Sequence, residues 1–260
     1  LQVYPLSDTI TYEQPLNERI RILLRLESLF RNIQDTLYET APASSHATLE
    51  RLQEILTLTD RSDLKKDLMK ELERNQLTLS ALKQHPGVDH KQLDGFLDKL
   101  VRLNRDLDAE RGKPGQELRN SEFIKSFRQR SGVPGGLSDI DFPHYHFWLN
   151  LPAEARVASL VEWVNSFNTI REAVTLVLEM IRKSATSTTV VATKGFYQHS
   201  LDKDIPYQLI RITLPLDAPY YVEISGGRHR FSARMMIPNL LDRPTQAMED
   251  ISFQLTTCIL

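Results

Sequence analysis

The sequence predicts an α+β protein in which an N-terminal helical domain, residues 15–185, precedes a smaller antiparallel β-domain, residues 186–260, and three observations predict it. Up to about Ala185, apolar residues recur at intervals of three and four, the repeat of amphipathic helices. Beyond Ala185 the repeat drops to two, the alternation of strands buried on one face. Gly and Pro gather at the ends of these segments, where the chain must turn. At 260 residues, 41% of them hydrophobic, the chain buries a core without a disulfide or metal staple.

Taken in order, Thr9 to Gln14 is a strand lent to the distant β-domain. A helix follows over Pro15 to Glu39, with Pro15 at its entry, Ile20, Leu23, Leu24, Phe30 and Leu37 inward, and Arg19, Arg25 and Arg31 on the outer face. The break at Ala41–Ser44 precedes a second helix to about Asp60. Ser62 caps a third that carries Leu64, Leu68, Leu72, Leu79 and Leu82 and stops at His85–Gly87. Asp89 followed by Gln92 forms a capping box for the fourth, which buries Leu93, Phe96, Leu97, Leu100 and Leu107. A short helix spans Ser121 to Arg130. Pro152 to Lys183 is helical again and splits or kinks at Asn165–Asn168.

The β-domain reads as strands around Thr188–Tyr197, Leu209–Leu214, Tyr220–Ile224, Phe231–Ile237 and Ile251–Leu255. Its most distinctive run is Ile224 to Arg234, ISGGRHRFSAR. Gly226 and Gly227 predict a tight hairpin turn through positive φ. Strand parity then places Phe231, Ala233, Met235 and Ile237 on the core face and Arg228, Arg230, Ser232 and Arg234 on the other. No Asp or Glu occurs from Ile224 to Asn239, and Arg211 on a neighbouring strand extends the row. Guanidinium groups hold carboxylates in a two-pronged geometry, so the matching ligand is a short peptide combining acidic and apolar residues. The plainer reading is an arginine-bearing face that keeps a sheet soluble.

Bulk charge narrows the classes. The formal net charge is −2, so no global field draws the chain onto nucleic acid or anionic lipid. The basic face of the first helix is interleaved with Glu18 and Glu27, unlike a phosphate-tracking surface. No apolar run approaches membrane-spanning length and no leader pattern opens the chain, so the expectation is a cytoplasmic protein that is neither exported nor inserted. The single cysteine, Cys258, has no companion motif for a nucleophile. Val133–Gly136 lacks the ending and the setting of a phosphate loop. His144, His146 and Asp141 are the one cluster from which a metal-dependent hydrolase could be built, but the two histidines share a face only on a strand. The following FWLNLP reads as a packed aromatic anchor, and no metal or other cofactor is expected.

Glu13–Glu27, Lys65–Asn75, Arg128–Gly136 (RQRSGVPGG), Asp141–Pro152 (DFPHYHFWLNLP), Gly195–Gln198 (GFYQ) and ISGGRHRFSAR together resemble, in order and over nearly the whole chain, the ZapD family of Z-ring-associated cell-division proteins. One departure follows the PGG turn, where family members often carry cysteines and this chain has Leu137 and Ser138. The resemblance implies a helical domain followed by a smaller β-domain, and a homodimer recruited to the mid-cell division site. It also implies binding to the C-terminal tail of the tubulin-like FtsZ, crosslinking of its filaments, and no catalysis. The tail-binding positions it implies are Arg230 and Arg234 with Arg228 beside them, and Arg128 and Arg130 as an extension.

Overall fold

The computed structural model describes residues 8–60, 63–83 and 89–259. Nine helices and eight strands occur among them, with the helices between Glu18 and Lys183 and seven of the strands after Thr186. The chain clusters into two compact units, Ile22–Val177 and Leu1–Arg21 with Leu178–Leu260.

In the first unit, helix α1 (Glu18–Thr36) buries Leu23, Leu26, Phe30 and Ile33, and α2 (Pro42–Thr59) buries Leu49, Leu52, Ile55 and Leu56. Pro15 is not at a helix entry: it ends a strand, and Asn17 opens α1 by accepting the Ile20 N–H at 2.9 Å. Pro42 does sit in the first turn of α2, where its missing N–H costs nothing. Helices α3 (Leu64–Leu82) and α4 (His90–Ala109) pair along buried Leu68, Leu72, Leu97, Leu100 and Leu107. Asp89 caps α4 by accepting the Gln92 N–H at 3.1 Å. The expected cap at Ser62 and stop at His85–Gly87 lie outside the described residues. The α3 stripe is shorter than its spacing predicts, because Asn75 is its last buried position and Leu82 is 39% exposed. Next come α5 (Gln116–Asn120), α6 (Glu122–Ser131), α7 (Pro143–Leu149), α8 (Ala153–Asn165) and α9 (Asn168–Lys183), whose last turns from Leu178 belong to the second unit. The split at Asn165–Asn168 falls where expected, with Phe167 fully buried in the joint.

The second unit holds two four-stranded sheets. One runs β1 (Thr9–Pro15), β4 (Leu209–Pro215), β8 (Ile251–Cys258), β2 (Thr186–Ala192), antiparallel throughout, so the N-terminal strand joins strands almost two hundred residues away. The other runs β3 (Phe196–Ser200), β6 (Arg230–Ile237), β5 (Tyr221–Gly227), with β7 (Thr245–Gln246) also on β6. The segment expected as one strand over Thr188–Tyr197 is two, β2 and β3. Lys194 and Gly195 take left-handed φ of 50° and 68° between them, and a Cβ on Gly195 would collide with the Ala247 carbonyl oxygen.

Inner-face residues of both sheets share one core that includes Ile210, Ile212, Leu214, Phe231, Ala233, Met235, Phe253 and Leu255. Alternation fails at Leu209, which is as buried as Ile210 although it points to the opposite face. That outer face is itself covered near Glu13, whose carboxylate accepts two hydrogen bonds of 2.8 Å from Arg182 of α9 and ion-pairs with Arg211 of β4 at 2.9 Å. Burial alone would raise the Glu13 pKa, but the hydrogen bonds and charge of Arg182, joined by Arg211, outweigh it and hold the carboxyl below its usual value.

Two predictions follow from this packing. Glu13→Gln leaves two cations facing each other and removes charge-assisted bonds, which costs about 1.5–3 kcal/mol at neutral pH. Because the folded pKa is depressed, the Glu13 contribution is complete above the ordinary glutamate pKa of 4.5 and fades as pH falls through the lower folded value. Melting curves of both proteins should therefore converge in acid; a constant gap would show that charge plays no part. Phe231→Ala removes a ring that is 1% exposed and should cost about 3–5 kcal/mol. Hydrogen exchange should report it as lost protection of the β5–β6 amides, and unchanged protection would put the ring outside the core.

Candidate functional site

The arginine-bearing hairpin is built differently from its glycine signature. Gly226 and Gly227 are not the turn: they pair with Phe231 and Arg230 at the end of β5, and Arg228–His229 make the reversal. Neither glycine takes positive φ. Gly226 is needed for closeness instead, because a Cβ there would lie 3.0 Å from the Phe231 Cβ and 3.2 Å from the Leu16 Cδ2. The turn is tied to the chain after β3 by the Leu201 N–H, which donates to the His229 carbonyl at 2.9 Å.

Parity in β6 is as expected over its centre. Phe231, Ala233 and Met235 are buried while Arg230 and Arg234 are exposed; Ile237, expected inside, is 45% exposed at the strand end. Arg228 belongs to the turn rather than to the row. The sheet completes the surface with residues that the sequence alone does not bring together. Arg230 lies opposite Ser200 and Gly227, Ser232 opposite Gln198 and Ser225, and Arg234 opposite Phe196 and Glu223. Glu223, one residue before the acid-free run, thus stands across from Arg234, and it accepts a hydrogen bond from the Tyr221 hydroxyl at 3.2 Å. Among the described residues, Arg228, Arg230 and Arg234 have no ion-pair partner within 4.0 Å. Gln198, Ser225, Arg228, Arg230 and Ser232 border a concavity of about 430 Å³ at the hairpin tip. Cations with hydroxyl and amide neighbours around a shallow hollow can hold carboxylates; guanidinium groups cannot serve as acid or base near neutrality.

Arg211 does not extend this row. It sits on β4 in the other sheet and is committed to Glu13. Arg128 and Arg130 lie on α6 of the helical unit; Arg128 is exposed, whereas Arg130 donates from Nε to the Asp141 carbonyl at 3.0 Å and stacks over Phe142 at 5.1 Å.

The hydrolase alternative finds no support in the geometry. Asp141, His144 and His146 do not converge, because the segment is a helix and a spacing of two residues on a helix points side chains to different faces. His144 meets the Phe123 ring edge-on at 5.0 Å, His146 reaches Asn150, and the Asp141 carboxylate accepts from the Ser138 hydroxyl at 3.0 Å. No group of three His, Cys, Asp or Glu among the described residues is arranged to hold a metal ion. The neighbouring Phe142, Trp148 and Trp163 meet Phe123 in tilted contacts at 5.6–5.8 Å, and Phe142–Tyr145, Tyr145–Trp148 and Trp148–Trp163 stack, as a packed anchor should. Burial pushes the Cys258 thiol up to about 11, which keeps it protonated and a poor nucleophile.

Comparison with known proteins agrees with the motif pattern. The sequence profile of the ZapD family, described as "Cell division protein", matches residues 24–234. The cell division protein ZapD of Methylococcus capsulatus (strain Bath) is 36% identical over 255 residues, which cover 98% of this chain and 100% of the relative. Its counterpart in Coxiella burnetii (strain RSA 493) is 39% identical over 254 residues, covering 97% and 98%. That of Ralstonia pickettii is 38% identical over 250 residues, covering 96% and 99%. With its helices, its antiparallel sheets and these full-length matches, the chain belongs to the ZapD family of cell-division proteins.

Proposed function

We propose that this protein is a non-catalytic division factor, cytoplasmic and recruited to mid-cell, that binds the C-terminal tail of FtsZ and, as a homodimer, crosslinks FtsZ filaments at the Z-ring. The observation that carries this reading is the β5–β6 hairpin, where Arg228, Arg230 and Arg234 stand exposed without an ion-pair partner on a chain whose net charge is −2. Exposed cations left unneutralised on a nearly neutral molecule favour a local anionic partner over a polyanion. No helix among the described residues is long and apolar enough to cross a membrane, which fits a partner met in water. Arg128 and Arg130 are candidates for further tail contact, and the helical unit is the candidate dimer contact, since Leu77 of α3 and Val101 of α4 are 74% and 51% exposed.

The arrangement works by charge placement. Arg230 and Arg234, four apart on one strand, are about 13 Å from each other and match side chains four apart on the same face of an extended peptide. Glu223 tempers Arg234, so Arg230 should carry more of the attraction. Arg230→Glu is expected to weaken binding of an FtsZ tail peptide by at least tenfold, Arg234→Glu by less, and Glu223→Gln to tighten it, with all three keeping the wild-type melting point. Fluorescence anisotropy measures this, and the wild-type affinity should fall as salt rises. Unchanged affinity in the Arg230→Glu, Arg234→Glu double variant would refute the site.

Bundling needs two tail sites per particle. Mixing wild-type chains with the double variant makes dimers that carry one working site; these bind filaments without joining them. At equal amounts, fully competent dimers fall to about a quarter of the total, so light scattering from FtsZ polymers should drop more steeply than tail binding. A strictly parallel loss would mean that one chain suffices to crosslink.

A further inference from the structure

We infer that the hairpin tip is one half of a two-part peptide site, the other half being a second cleft that Arg228 also borders and that takes an apolar side chain of the same acidic-apolar ligand; this rests on the tail-binding reading above. The cleft, of about 670 Å³, is bordered by Leu16, Ile205 and Tyr207, with Arg19, Lys203 and Arg228 around it and Asp204 as its only carboxylate among the described residues. Arg228 borders both this cleft and the hollow over Gln198 and Ser232, so the two are contiguous through one side chain.

The cleft is built rather than incidental. Its floor is tied by hydrogen bonds between loop, strand and helix start. The Leu16 N–H donates to the Gln208 carbonyl at 3.0 Å, the Gln208 N–H to the Cys258 carbonyl at 2.8 Å, and the Tyr207 N–H to the Ile205 carbonyl at 2.9 Å. Asn17 Nδ2 donates to Gln208 Oε1 at 2.8 Å, and Gln208 Nε2 to the Pro206 carbonyl at 3.1 Å. The Leu201–His229 bond holds the start of this loop against the hairpin turn, so cleft and tip keep a fixed spacing. A preformed hollow lined by Leu16, Ile205, Pro206 and Tyr207 together with the cations Lys203 and Arg228 accepts an apolar residue flanked by acids, and it discriminates against both a purely acidic peptide and a purely apolar one.

This placement assigns different work to the two halves. Arg230 and Arg234 attract any acidic segment. The cleft selects among such segments by the apolar side chain that they present, and Ile205, 37% exposed, is free to touch that side chain. Lys203 then fixes direction, because an acid must lie on the far side of the apolar residue from those that meet Arg230.

The test uses the intact protein and two fluorescein-labelled peptides, the FtsZ C-terminal tail and the same tail with every apolar residue replaced by serine. Wild type should bind the natural tail roughly tenfold more tightly, as expected for an apolar side chain leaving water for a pocket. Ile205→Asp should abolish that preference, its negative charge also weakening the acidic serine peptide, and Lys203→Glu should weaken both peptides severalfold. Ile205→Ser serves as a milder second variant, and equal melting points show that the loop is retained. If Ile205→Asp and Ile205→Ser keep the full preference while Arg230→Glu still abolishes binding, the cleft is not part of the site and the tail-binding reading stands alone. If Arg230→Glu has no effect on either peptide, the tail-binding reading fails and this inference falls with it.

Discussion

A strand has two faces and only one register, and in β6 that constraint couples the core of the β-unit to its outer surface. Burying Phe231, Ala233 and Met235 obliges Arg230, Ser232 and Arg234 to point outward. A slip of one residue would drive two guanidinium groups into an apolar interior and expose a phenyl ring, an exchange that no surface interaction offsets. The close approach at Gly226 adds to the constraint, since Leu16 and Phe231 both press where a side chain would stand. The candidate recognition surface is thus a consequence of core packing, with its side chains held in place by a ladder paired on both sides.

The same residue type serves opposite ends elsewhere in the molecule, and local carboxylates and carbonyls decide which. Arg182 and Arg211 share Glu13 and close the outer face of the β1–β4–β8–β2 sheet. Arg156, 5% exposed, donates to the Leu151 and Thr40 carbonyls and the Ser45 hydroxyl. Arg119 reaches the Leu56 carbonyl and the Thr59 hydroxyl. A guanidinium has five donors and needs several acceptors when it leaves water; where the fold supplies them the residue is structural. On the hairpin it does not supply them, and the guanidinium groups stay exposed.

Polar side chains in the aromatic segment follow the same logic. His144 and His146 stand two residues apart in a region rich in acids, yet the helical backbone sends them in different directions and their rings settle against Phe123 and Asn150. What brings histidines together at a metal or a reacting bond is backbone geometry, and here that geometry favours packing.

Much of the fold is legible in the sequence because periodicity is a local property. The switch near Ala185, the Asp89 cap, the break at Asn165–Asn168 and the parity of β6 each depend on residues within one or two turns of the chain. The arginines of the hairpin were visible for the same reason. Pairing between distant segments was not. That Arg211 belongs to a different sheet, that Glu223 faces Arg234, that Arg228–His229 rather than the glycine pair makes the turn, and that Ile205 and Lys203 flank Arg228 across a cleft all follow from strand order and register. Those are set by which apolar faces fit together most closely in three dimensions, a global property that no window of the sequence contains.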